Sequence, residues 1–222
     1  MTATTTTAPA SAPAAVRARP GARPLLAAGI AAGPIFLASG LAQGVTRDGF
    51  DFTRNALSQL SLGGAGWIQV ATFLLTGVLL IAGAVGMHRV LDGAPGGRWA
   101  PRLVAVFGAS FLLAAVFPAD PGAGFPEGAP AGQAAALSAS GALHMLSGMV
   151  GYLALSAAFP VLARHFAARG RRGWALASRL APVIVVAGFA ASSVSVLAFT
   201  AGAGLGLLWL TALTAKVLLD TP

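Results

Sequence analysis

The chain contains no cysteine, only six acidic residues and a single tyrosine among its 222 residues. The missing cysteine excludes disulfides, thiolate metal sites and a cysteine nucleophile, and it leaves the redox compartment unmarked. Charge of either sign is scarce: 9% of residues are ionisable Asp, Glu, Lys or Arg, against 56% hydrophobic, and the mean hydropathy is +0.79. So few charges cannot coat a soluble globule of this size, so lipid is the expected solvent for most of the surface. The net charge of +8 does not point to nucleic acid, because the basic residues are spread between apolar runs rather than gathered with aromatics into one patch.

What the chain has instead is a series of apolar runs. A helix that crosses a bilayer needs about 20 mostly apolar residues, and six stretches qualify: 24–44, 67–91, 99–117, 141–163, 180–200 and 204–219. The expectation is an all-α, polytopic membrane helix bundle of six transmembrane helices, with AGAG at 201–204 as a tight hairpin between the last two. Residues 1–23, rich in Thr, Ala and Pro, read as a disordered tail before a domain spanning 24–222. Arg17, Arg19 and Arg23 follow a long polar stretch and abut the first run, the pattern of an uncleaved first span rather than a signal peptide.

Lys and Arg set the expected orientation. Twelve fall on one side of the spans (Arg17, Arg19, Arg23, Arg89, Arg98, Arg102, Arg164, Arg169, Arg171, Arg172, Arg179 and Lys216) and two, Arg47 and Arg54, on the other. Both termini are therefore expected on the cytoplasmic side of the plasma membrane. Asp48, Asp51, Asp120 and Glu127 share the outer side with Arg47 and Arg54.

Two outer loops stand out. FPADPGAGFPEGAPAGQ carries four prolines and reads as a stiff extended cap. VTRDGFDFTRNALSQLSLGGAGW, 45–67, is polar and of mixed sign between two apolar runs. Within it Phe52, Ala56, Leu57 and Leu60 recur at helical spacing, the pattern of a short interfacial helix.

Polar groups inside the spans cluster toward the same side. Ser39 and Gln43 lie at the outer end of the first span, and Gln69, Thr72 and Thr76 share a face of the second. Ser140, His144, Ser147 and Gly151 oppose Leu143, Leu146, Val150 and Leu153 on the fourth, and Ser192 and Ser195 lie in the outer half of the fifth. Intramembrane polar groups usually face other helices or a wet cavity. One reading is an outward-opening cleft beneath the first outer loop; the other is plain helix packing, in which small hydroxyl residues bond across interfaces. The candidate ligand-binding set is Gln43, Asp51, Arg54, Ser58, Gln69, Asp120, His144, Ser147 and Ser192.

The sequence assigns no catalytic residue, metal or cofactor. His144 is the only histidine on the outer side, and its reference pKa suits proton exchange; equally, it fits a neutral histidine bonded to a serine or a loop carbonyl. One histidine with Asp51, Asp120 and Glu127 is a poor supply of zinc ligands. Ser147 or Ser58 with His144 and Asp120 lacks the G-x-S-x-G turn that would make a hydrolase triad specific. Gly29 with Gly33, Gly40 with Gly44 and Gly202 with Gly206 have the spacing of close-packed helices, which serves the bundle or, more weakly, a homo-oligomer. With no phosphate loop, broken-helix ion site or internal repeat in view, a small-solute permease ranks third. Binding of a membrane lipid or another amphipathic ligand ranks first, and a membrane-embedded lipid hydrolase or transferase second.

The succession RDGFDFTRNALSQLSLGGAGWIQ, FLLTGVLLIAGAVGMHRVL, VFPADPGAGFPEG and GALHMLSGM resembles the DUF998 family of bacterial six-span membrane proteins, from the first span to the sixth. The resemblance implies fold and location. It carries no catalytic assignment, since the family is named for its unknown function, but it singles out Arg54, Ser58, Asp120 and His144 within its matched blocks.

Overall fold

The computed structural model describes residues 20–132 and 136–221, so all but the last four positions of the expected tail, with Arg17 and Arg19, lie outside the described residues. Six helices follow in order: α1 (Ala22–Thr46), α2 (Gly66–Leu91), α3 (Ala100–Val116), α4 (Ala139–Ala168), α5 (Arg172–Ala190) and α6 (Val196–Leu219), with a 3-10 helix, Leu57–Ser61, between α1 and α2. All but α3 are long and apolar enough to cross a membrane; α3 is a shorter apolar helix of 17 residues.

Each helix packs on its neighbour in sequence and α6 returns to α1, so the six close into a ring. Toward the loop end of α4 the face turned inward is small or polar and the face turned outward is large and apolar. On α4, His144, Ser147 and Gly151 are buried while Leu143, Leu146, Val150 and Leu153 are exposed. That inversion suits a bundle in lipid, where outward leucines cost nothing and close backbone approach supplies the packing energy. Glycines mark the closest crossings. Gly29 of α1 meets Gly83 of α2, and Gly188 of α5 meets Gly202 of α6, so closely that a Cβ on either would lie 2.7 or 3.0 Å from the facing Cα. Gly33 faces Thr211 and Leu207, Gly206 faces Val185, and Gly40 and Gly44 seat Leu57 and Phe52 of the first loop. All six glycines at close-packing spacing thus meet partners within the chain.

The last two helices differ from expectation. AGAG lies inside α6, and the turn between α5 and α6 falls ten residues earlier, at 191–195. Glycine density was the wrong signal there, because in lipid glycine marks helix contact. The stronger one was Ser195, whose hydroxyl accepts from the Ala198 amide as an N-cap. The basic segment after α4 is accordingly mostly helix: only 169–171 separate α4 from α5.

The two ends of the ring differ in kind. At one end, here the basic end, Arg23 donates to the Thr221 carbonyl and Arg89 to the Pro20 carbonyl, while Lys216 and Arg171 hold Asp220 at 2.6 and 3.7 Å. Arg98 and Arg102 lie over the Trp99 ring. The opposite end, the loop end, carries the 47–65 and 117–138 segments. Between the ends the ring's interior is solid in its basic half, where Leu80, Met87, Leu155, Phe159, Leu162 and Leu213 are almost fully buried, and hollow in its loop half.

Candidate functional site

The hollow is a cavity of about 700 Å³. Its wall takes in α4 from Gly141 to Tyr152 and α6 from Val196 to Leu207; eleven positions at about 1.5 Å of rise give a depth of about 16 Å. Deep in it, rings dominate: Phe36 and Phe73 from the first two helices, Phe111 from α3, Tyr152 from α4, Phe189 from α5 and Phe199 from α6. Several stand edge to face, Phe189 with Phe199 at 5.0 Å and Tyr152 with Phe189 at 5.3 Å between centroids. Around the mouth lie Thr53, Arg54, Ser58, Asp120, His144, Ser192 and Ser193.

The segment over the mouth is not a regular amphipathic helix. Asp51 competes with helix formation: its Oδ1 accepts from the Thr53 amide and hydroxyl, its own amide donates to Asn55, and only 57–61 wind into a 3-10 helix. These bonds to Thr53, and then Arg54 3.0 Å away, hold the Asp51 carboxyl below the usual aspartate range. Asn55 and Gln59 are buried and reach across to the second loop, both donating to the Gly122 carbonyl at 3.3 Å. Arg47 adds a second tie: its guanidinium donates to the Leu60 and Leu62 carbonyls and lies 4.9 Å above the Phe125 ring, itself packed on Phe50. The two loops form one cap.

Of the nine candidates, five border the cavity: Arg54, Ser58, Asp120, His144 and Ser192. Asp51 stands behind Arg54 as its partner. Gln43 and Gln69 bond to each other at 2.7 Å between α1 and α2, beside a Ser39–Thr72 bond at 2.8 Å, and line no part of the cavity. Ser147 donates to the carbonyl of His144 within its own helix.

Two of the five have structural duties. The Nδ1 of His144 lies 2.8 Å from the Phe117 carbonyl, and since a carbonyl only accepts, Nδ1 carries the proton. With Ser140 donating to the Pro118 carbonyl, His144 closes the C-terminus of α3, where helical carbonyls lack internal partners. Asp120 accepts from the Ser138 amide and hydroxyl, and Ser138 caps α4. The FPADP and LHMLSG blocks therefore hold each other. Sequence reading missed Arg47, Asn55 and Gln59 as ties within the cap and Tyr152, Phe189 and Phe199 as wall. Among the described residues no group of three His, Cys, Asp or Glu could hold a metal ion.

A ring of apolar helices, five of them long and apolar enough to cross a membrane, marks a multi-pass membrane protein. The family model of DUF998, a protein of unknown function, matches residues 30–216, and the chain belongs to that family. No curated protein and no solved structure matches the chain.

Proposed function

We propose that this protein binds a lipid or a similar amphiphile in the ring's hollow half without transforming it. The observation that carries the reading is the cavity itself. At about 700 Å³ it lies within the roughly 300–1,000 Å³ typical of ligand pockets, and its depth of about 16 Å is about half of a 30 Å hydrocarbon core. A lipid held there keeps its head at the cap and its chain in one leaflet, as in the bilayer. The apolar depth and polar mouth supply both environments.

In this reading all six helices span, α3 included, both termini are cytoplasmic and the cavity opens outward. The concentration of Arg and Lys at the basic end supports that orientation. The competing readings need more. A hydrolase built on His144 and Asp120 would have to release them from the α3–α4 junction, and a permease would have to open the packed interior below Leu207.

Native mass spectrometry of the purified protein tests the binding. A defined lipid should be retained by the wild type and lost from Gly148→Leu, which fills the cavity at a position where an added Cβ meets nothing within 4 Å. Wild-type protein that carries no lipid under any mild solubilisation would overturn the reading. For orientation, Glu127→Cys should react with an impermeant thiol reagent in whole cells and Ala94→Cys only after lysis.

A further inference from the structure

The groups around the cavity say what kind of head it takes. Among the described residues two charged side chains border it, Arg54 and Asp120. Arg54 is 3.0 Å from Asp51, and both oxygens of Asp120 already accept from Ser138. A phosphate or carboxylate head wants a guanidinium or ammonium that can turn to it, preferably with two parallel bonds. Here it would find one arginine held by a carboxylate and a second carboxylate across the mouth. At that half-exposed mouth an anionic head meets two carboxylates against one guanidinium, so the local charge opposes it.

Hydroxyls are plentiful by contrast. Ser58, Ser192, Ser193 and Thr200 all border the cavity, and among the described residues none of their side chains makes a hydrogen bond within the chain. Each can donate and accept, which matches an alcohol, an ester carbonyl or a glycerol better than an ion. The apolar depth is sized for one chain, and on the far side of the Tyr152 and Phe189 rings a separate small apolar crevice lies between α4 and α5, lined also by the outward-facing Met149, Leu153 and Val186.

We infer that the occupant is a single-chain amphiphile with an uncharged, hydroxyl-bearing head of the monoacylglycerol kind, its head among these hydroxyls and its chain directed at the Tyr152–Phe189 wall. This rests on the reading of the cavity as a lipid site. The test uses the full chain, delipidated in detergent and titrated with three probes of equal chain length: monooleoylglycerol, oleate and oleoyl lysophosphatidylglycerol, with bound mass read by native mass spectrometry. We expect monooleoylglycerol to bind about tenfold or more tightly than either anion, and Ser193→Ala to weaken it several-fold while leaving residual oleate binding unchanged, as loss of one hydrogen bond would. Tighter binding of either anion would overturn the inference and leave the lipid cavity standing. Failure of all three to bind would remove the cavity reading and the inference together.

Discussion

Gly148 and Gly151 sit three residues apart on α4 and belong to two different interiors. A Cβ built on Gly151 overlaps the Ser110 hydroxyl of α3, whereas one built on Gly148 meets nothing within 4 Å. Close helix contact with α3 and open cavity thus lie on two faces of α4 within a single helical turn. Toward the basic end, close helix approach and buried phenylalanines fill the centre. Toward the loop end, the same helices are held apart by their rings and by the cap, and the space between them remains. The difference teaches that the hollow is not loose packing, since the cap over it is cross-tied by Arg47, Asn55 and Gln59.

The largest expected effect tests that contrast with one substitution in each half. Phe159 is fully buried in the solid half, so Phe159→Ala should cost about 3–5 kcal/mol of stability, the usual range for a phenylalanine truncation that leaves a hole. Phe199→Ala only enlarges an existing cavity, so we expect less than half of that. Thermal unfolding in one detergent compares them, and equal losses would erase the distinction. The glycine pair comes next. Gly151→Ala should destabilise by about 1–3 kcal/mol through overpacking, while Gly148→Ala should stabilise by up to about 1 kcal/mol, the ordinary helix preference for alanine over glycine.

A third, smaller effect is local to the cap. Gln59→Leu takes the side-chain acceptor from the buried Asn55 amide and from the Ala56 backbone N–H, at a cost of about 1–3 kcal/mol. Hydrogen exchange should accelerate across 47–63 and 117–132 and stay unchanged in the basic half. Acceleration in α4 below Gly151 would mean that cap and solid half fold as one unit.

How much of this could be read from the residues depends on what kind of signal each part leaves. The inward face of α4 was legible, because polar and small residues at helical spacing opposite four large aliphatics admit one burial pattern. So were Gln69, Thr72 and Thr76, all buried. Depth along a span, however, does not give direction around it, which is why Gln43 and Gln69 were grouped with the mouth although they face each other. The α5–α6 turn was misplaced because glycine breaks helices in water but joins them in lipid. The aromatic part of the cavity's wall left no trace: Tyr152, Phe189 and Phe199 are rings in apolar helices, and only the tertiary arrangement shows that they face a void. The cap's ties through Asn55 and Gln59 are long-range bonds to the backbone of a loop more than sixty residues away, which no local pattern encodes.

The smallest expected effect concerns acid, and it sharpens the comparison by leaving both halves of the ring untouched. All six carboxyl groups of the chain lie outside the helices. At the loop end, the Thr53 bonds and Arg54 hold Asp51 below its ordinary range. At the basic end, burial pushes Asp220 up, but the Lys216 hydrogen bond and the charges of Lys216, Arg171 and Arg169 outweigh it and also hold it low. A carboxyl whose folded pKa is depressed contributes its stabilisation in full above the unfolded value, about 3.9 for aspartate, and loses it as pH falls through the folded value. Between pH 7 and 5 neither of these carboxylates should change. Below about pH 4, exchange at the Thr53 amide and around Asp220 should rise while circular dichroism keeps its helical signal, since no side-chain carboxyl group lies within a helix. A helical signal that collapses in step with the Thr53 amide would show that the cap holds the hollow half open, and that the two halves are coupled through it.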